Sequence, residues 1–385
     1  LTRKPVFAVL GGGNGGFCMA ADLTLRGFKV RLFELPAFAH TIEPVLQKGG
    51  IALRGVAGEG FARPALVTTN IEAALAGADV VMVVVPAMGH KAIAQACAPF
   101  LQEGQMMALT PGCCGGALEF RHTLRAAGGQ ENAILAETTS LMYAVKKEGG
   151  NGVWARGIKQ HLPLAAFPAH HTAAVIERLS SAFPQFAPAA NVLETSFGNL
   201  NHITHPATML MNLGFIESRR IKEWFFYTDG YTPGTGRVAD QLDVERLAVA
   251  RAYGLPEIPA VELIRRFYGH QGMAGSNLYE MFNDSPVHRT TRGPRSARSR
   301  LISEDIPYGL VPLASFGRLA GAPTPTMDAL ITLASVVNQT DYRRTGRTVE
   351  SLGLAGLDVD EIVQLVTGRR FSFTAGRHCA TVHSP

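Results

Sequence analysis

Three groups of residues have types and spacings suited to chemistry. The first is Gly11-Gly12-Gly13-Asn14-Gly15-Gly16, where Gly11-x-Gly13-x-x-Gly16 has the spacing of a dinucleotide-binding turn. In such a turn the first glycine permits the tight bend, the second lets backbone approach a pyrophosphate, and the third lets helix pack closely on strand. The second group is Asn201-His202-Ile203-Thr204-His205-Pro206, a polar cluster in an otherwise helical run. Imidazole is the usual group for moving a proton near neutral pH, and either histidine would serve. The third is Arg300-Leu301-Ile302-Ser303-Glu304-Asp305, whose Asp305 carboxylate could orient a histidine and stabilise its cation.

The first group is placed by its surroundings. Val6 to Leu10 is a continuous apolar run, the pattern of a parallel strand buried on both faces. Phe17 to Arg26 reads as a helix closed by Gly27, and Lys29 to Phe33 as a second strand ending at Glu34. Glu34 lies 18 residues after Gly16, where a carboxylate accepts from both ribose hydroxyls and repels a 2′-phosphate. NAD(H) is therefore favoured over NADP(H), with Arg31 the one nearby cation that keeps NADP(H) open. Gly11, Gly13, Asn14, Gly15, Gly16 and Glu34 are the expected cofactor contacts.

The strand–helix alternation continues. Strands are expected at Leu66 to Thr69, Val80 to Val85, Gln105 to Leu109 and Ala133 to Ala136. Helices are expected at Ile71 to Ala76, Lys91 to Leu101 and Ala117 to Ala126, with a hairpin in the glycine-rich stretch from Gly49 to Arg63. This is an α/β pattern: a Rossmann-type, doubly wound, mainly parallel sheet over residues 1–191, with ligands at the strands' carboxyl ends. Pro86, Gly112 and the run Thr138 to Ser140 fall at such ends. From Asn191 onward helical periodicity takes over, in Val192 to Met211, Asp243 to Tyr253, Pro259 to Tyr268, Thr326 to Asn338 and Asp360 to Thr367. Residues 192–368 read as a mostly α-helical domain and 369–385 as a loose tail.

Composition narrows the class. The 385 residues are 46% hydrophobic and 17% charged, which suits a globular chain of two domains and excludes a disordered one. No apolar run approaches the roughly 18 residues that span a bilayer, and no secretory h-region precedes the first strand, so a cytoplasmic enzyme is expected. The five cysteines have no C-x-x-C spacing, and no metal site is expected. From Arg289 to Arg300 there are five arginines and no acid. Without interleaved aromatics this reads as a solvated loop rather than a nucleic-acid surface, though an anionic small substrate would also use arginine.

Beyond these groups, ordered stretches resemble the opine dehydrogenases, the family that includes octopine and nopaline dehydrogenases. They are Gly13-Asn14-Gly15-Gly16, Pro111-Gly112 with Gly115 to Phe120, Glu137 to Ser140, and His205-Pro206. Asp243 to Arg246, Gly309 to Leu313, Pro323-Thr324-Pro325 and Gly346 to Leu357 complete the set. The resemblance implies reductive condensation of an α-keto acid such as pyruvate with the amino group of an amino acid, through an imine, using NAD(P)H. It implies that His205, which precedes a proline as in the family, is the catalytic histidine, Asp305 its partner and Arg300 a substrate-carboxylate ligand. His202 becomes the lesser candidate. Thr139 is carried over as a donor to the keto acid, and substrate specificity is expected near Tyr279 and Met281. A homodimer is the default assembly. Two other readings compete: a simple 2-keto or hydroxy-acid reductase of the ketopantoate or glycerol-3-phosphate dehydrogenase type, and a dinucleotide-binding sensor without turnover.

Overall fold

The computed structural model describes residues 3–130 and 133–368. Twelve strands among the described residues form two sheets. The larger has the order β12-β11-β8-β7-β6-β1-β2-β5, built from β1 (Val6–Leu10), β2 (Lys29–Phe33), β5 (Leu66–Thr68), β6 (Val80–Val83), β7 (Met106–Leu109), β8 (Ile134–Thr138), β11 (Leu162–Phe167) and β12 (Phe186–Pro188). All pairings are parallel except β11 with β8. Every residue of β1, β6 and β7 is buried, which explains the unbroken apolar runs of these strands. The strand order reverses between β1 and β6, and a doubly wound sheet opens a ligand crevice at that point.

The second sheet, β4-β3-β10-β9, is formed by β3 (Ile51–Gly55), β4 (Gly60–Ala62), β9 (Tyr143–Glu148) and β10 (Gly152–Ile158). The expected hairpin between Gly49 and Arg63 is the antiparallel pair β3–β4. Its other half comes from residues nearly a hundred positions later, joined through the parallel pair β3–β10. This sheet packs over helix α1 (Asn14–Leu25).

Past Pro188 the regular elements are helical among the described residues, apart from one bridge between Phe225 and Arg292. The single helix expected from Val192 to Met211 is two, Val192–Phe197 and α2 (Asn201–Met211). Gly198 breaks the run where the backbone passes Thr139, and Asn199 Oδ1 accepts the Asn201 N–H at 3.1 Å to restart it. Helix α3 (Pro233–Ala252) is the longest; Pro233 sits at its first turn and the Thr232 hydroxyl accepts from Thr235 N–H at 3.3 Å. It packs against α2, α4 (Leu278–Asn283) and α5 (Pro325–Asn338).

Arg347 ties the late segment to the sheet. Its side chain is fully buried and meets Glu119 at 2.6 Å and the carbonyl of Cys114 at 3.0 Å. The expected tail, 369–385, lies outside the described residues.

Candidate active site

At the crevice, β1 runs straight into the glycine turn. Gly11 has φ +125°, and a Cβ there would lie 2.4 Å from the Val84 carbonyl oxygen. A Cβ on Gly16 would lie 1.7 Å from the Gly11 oxygen, so this glycine is required by the close approach of helix to strand. Gly13 differs: a Cβ there meets nothing within 4 Å, and the residue is exposed. The protein's own packing does not need that glycine, whereas a ligand lying flat on the turn would. Helix α1 begins just beyond it with no side-chain cap and no acid in its first turn. Its leading N–H groups and dipole are thus open to an anion, as a dinucleotide diphosphate requires.

Glu34 is buried at the end of β2, and its oxygens accept from Gly12 N–H and Leu35 N–H, each at 2.7 Å. The carboxylate therefore braces the turn as well as standing at its rim. Arg31 is engaged elsewhere, donating to the carbonyls of Ala73, Ala74 and Ala76 at the end of the helix Ile71–Leu75. Lys147, not foreseen from the sequence, pins the rim: Nζ donates to the carbonyls of Gly12 and Thr41, both at 3.2 Å. Pro86 is exposed and opens the turn Ala87–Gly89 after β6, across the strand-order reversal from Gly11. These residues fit a dinucleotide.

The histidine pair is resolved by distance. His205 Nδ1 lies 2.9 Å from Asp305 Oδ2, with the side chains 12% and 6% exposed. His205 Nε2 lies 3.3 Å from Tyr227 Oη, and the imidazole stands edge-on to Phe226. With Nδ1 donating to the Asp305 carboxylate, Nε2 is the nitrogen that can exchange a proton. His202, one turn earlier on α2, is buried against Gly309, and burial pushes its pKa down to about 4. It is a neutral packing residue. Pro206 has no N–H to donate to the His202 carbonyl, so α2 loses a hydrogen bond beside His205. Asp305 stands at the start of the π-helical turn Ile306–Leu310. Such turns often accompany functional sites.

Arg300, at the start of a short helix, keeps an exposed guanidinium 2.9 Å from Glu304. Glu304 also accepts the Ala87 N–H at 2.8 Å, linking this segment to the turn after β6. Burial raises the Glu304 carboxyl above its ordinary range despite Arg300.

Beside the pair is a cleft of about 420 Å³. Ser140, Lys159, Asn201, Thr204, Tyr227 and His288 supply its polar lining. Tyr227 belongs to both places, bonding His205 and stacking on Phe282 at 4.8 Å. Burial first, then the charges of Lys159 and Arg156, pushes His288 down to about 3. Burial likewise pushes the Lys159 ammonium down to about 7. Ser140, Asn201 and Thr204 lie in stretches the sequence singles out, whereas Lys159, Tyr227 and His288 carry no local signature.

Two expected contacts face elsewhere. The Thr139 hydroxyl is buried without a partner and lines a separate hollow of about 340 Å³ with Phe197, Gly198 and Arg246. Its neighbour Ser140 faces the cleft instead. The chain bends at these two residues, just past the end of β8, and the two side chains part there. Tyr279 packs against Gly236 of α3, and Phe282, one turn on, reaches the cleft. Met281 is buried. Among the described residues no cluster of three or more His, Cys, Asp or Glu could hold a metal, and no helix is long and apolar enough to cross a membrane.

Comparison with known proteins identifies the family. Residues 188–338 match the family described as NAD/NADP octopine/nopaline dehydrogenase, alpha-helical domain. The chain is 38% identical over 358 residues to the opine dehydrogenase of Arthrobacter sp. (strain 1C), covering 93% of this chain and 97% of that one. Its fold is similar to octopine dehydrogenase solved with NADH and agmatine, with a TM-score of 0.75, 22% identity, and coverage of 95% and 98%. Yersinopine dehydrogenase with NADP+ bound follows at a TM-score of 0.68, 16% identity, and coverage of 96% and 99%. With a glycine turn built for a dinucleotide and full-length kinship at this level, the chain belongs to the opine dehydrogenase family and is an NAD(P)-dependent oxidoreductase.

Proposed function

We propose that this enzyme condenses an α-keto acid such as pyruvate with the amino group of an amino acid and reduces the resulting imine, with NADH preferred over NADPH. The observation that carries the reading is the His205–Asp305 pair, 2.9 Å apart, with its second nitrogen turned through Tyr227 to the cleft. Amine and keto acid first form a carbinolamine, which loses water to give the C=N bond. His205 protonates the departing hydroxyl, which leaves as water, takes up the proton that the nitrogen loses as C=N forms, and returns it to the nitrogen as the bond is reduced. Asp305 stabilises the imidazolium between these transfers. Bound NAD(P)H supplies the hydride. Arg300, exposed and paired with Glu304, would grip the keto-acid carboxylate bidentately.

Preference for NADH is supported by Glu34 at the ribose end of β2 and by the engagement of Arg31 with backbone carbonyls. A carboxylate there opposes a 2′-phosphate, and no free guanidinium compensates it. NADH oxidation by the purified protein, with pyruvate and a panel of amino acids, tests the whole reading. Oxidation that needs only the keto acid and ignores every amine would convert the enzyme into a simple keto-acid reductase. An NADPH kcat/KM at or above that of NADH would remove the cofactor preference.

A further inference from the structure

Lys159 is the feature of the cleft that proton transfer leaves unexplained. It sits just after β10, and its backbone is fixed by donation to the Met142 carbonyl at 2.8 Å. The side chain is buried, and Nζ donates to the Leu141 carbonyl at 2.7 Å beside the Tyr268 ring, 4.9 Å away. An ammonium has three N–H donors, and this bond accounts for one. The cleft lining contains no aspartate or glutamate, and burial alone shapes the charge of Lys159. A buried cation without an anion is costly, and a lysine of purely structural use would be better served by methionine. The missing anion is one that arrives.

Charge balance identifies it. The condensation product carries two carboxylates, and Arg300, assigned above to the keto acid, leaves the other without a partner. Arg300 is exposed and paired with Glu304, which accepts from the turn after β6. Lys159 lines the cleft together with Tyr227, which bonds His205. The rest of the wall is apolar or aromatic: Leu200, Ile264, Phe267, Tyr268 and Phe282.

On the functional reading above, we propose that Lys159 anchors the carboxylate of the amino-acid substrate, and that the surrounding wall selects an uncharged, apolar side chain over a cationic one. A second positive charge entering this cleft would meet Lys159 and no carboxylate. An apolar side chain would be desolvated against aromatic faces, at about 25 cal/mol per Å² of apolar surface removed from water.

The test is calorimetric titration of the NADH-saturated protein with L-leucine, L-leucinamide and L-arginine, alongside steady-state kinetics with pyruvate. Wild type should bind leucine at least about tenfold more tightly than either leucinamide or arginine, since a charge-assisted hydrogen bond is worth about that much. Lys159→Met should bind acid and amide alike, raising the KM for leucine while leaving those for pyruvate and NADH within about twofold. Lys159→Arg, which restores the charge, should recover part of the preference for the acid. Equal binding of leucine and leucinamide by wild type overturns the anchor even if no variant folds. So does arginine binding more tightly than leucine, or a loss that falls on the KM for pyruvate. If the acid is preferred through Lys159 but no amine is ever consumed, the anchor stands and the condensation reading fails.

Discussion

Asp305→Asn isolates the charge of the histidine partner from its shape. Asparagine keeps an oxygen that can accept from His205 Nδ1–H, so the imidazole stays oriented and only the negative charge is lost. The pair is close and nearly enclosed, at 2.9 Å with side chains 12% and 6% exposed. Two unit charges at about 4 Å attract by about 4 kcal/mol at an effective dielectric constant of about 20. The neutral hydrogen bond that remains returns about 1 kcal/mol of this. The balance, about 3 kcal/mol, withdraws support from the imidazolium formed during proton transfer. At about 1.4 kcal/mol per factor of ten, kcat should fall by about two powers of ten. The assay is NADH oxidation at saturating pyruvate and amino acid, with NADH affinity measured separately by fluorescence. That affinity should hold within about twofold, because the Asp305 carboxylate touches His205 and not the glycine turn. A kcat within about threefold of wild type, or a loss confined to NADH binding, would refute the assigned role.

Gly13→Ala and Gly16→Ala should separate the ligand's needs from the fold's. A Cβ on Gly13 meets open space, so Tm measured without ligand should hardly move while NADH affinity drops by about tenfold or more; a Cβ on Gly16, 1.7 Å from the Gly11 oxygen, should destabilise the apo-protein in the same melt. Lys159 is protonated to about pH 7 in the fold and to its ordinary value of 10.5 when unfolded, so between these limits the unfolded chain holds the extra proton and stability rises with pH. Urea unfolding at pH 7 and 9 should show this rise, at up to about 1.4 kcal/mol per pH unit, and Lys159→Met should remove it. Breaking the buried Arg347–Glu119 pair by Arg347→Met should cost about 3–5 kcal/mol in urea unfolding, and adding Glu119→Gln should recover part of the loss by removing the stranded charge.

Local chemistry was readable from the chain. The unit from β1 through the glycine turn to Glu34 is written in consecutive residues, because a tight turn, a close helix–strand contact and an open anion site each demand glycine at one place. Helical stretches such as Pro259 to Tyr268 and Thr326 to Asn338 announce themselves through periodic burial, and the observed Ala260–Tyr268 and Pro325–Asn338 differ only at their ends. Where the pattern misled, a single tertiary contact was responsible, as at Gly198, where the backbone passes Thr139 and splits an apolar run that reads as one helix.

Residue type alone could not choose between His202 and His205, three positions apart on one helix. The choice depends on which of them meets a carboxylate 100 residues away, and packing against Gly309 makes His202 a neutral filler. The same holds for Thr139 against Ser140 and Tyr279 against Phe282, where the local course of the backbone decides which of the two faces the cleft. Lys159, Tyr227 and His288 carry no motif at all, because what makes them a site is burial in common. The chain by itself determined the electron carrier's turn, since that site is local backbone geometry. Tertiary structure decided which histidine meets a carboxylate and which polar groups share the cleft, since those depend on burial and on distance between segments far apart in sequence.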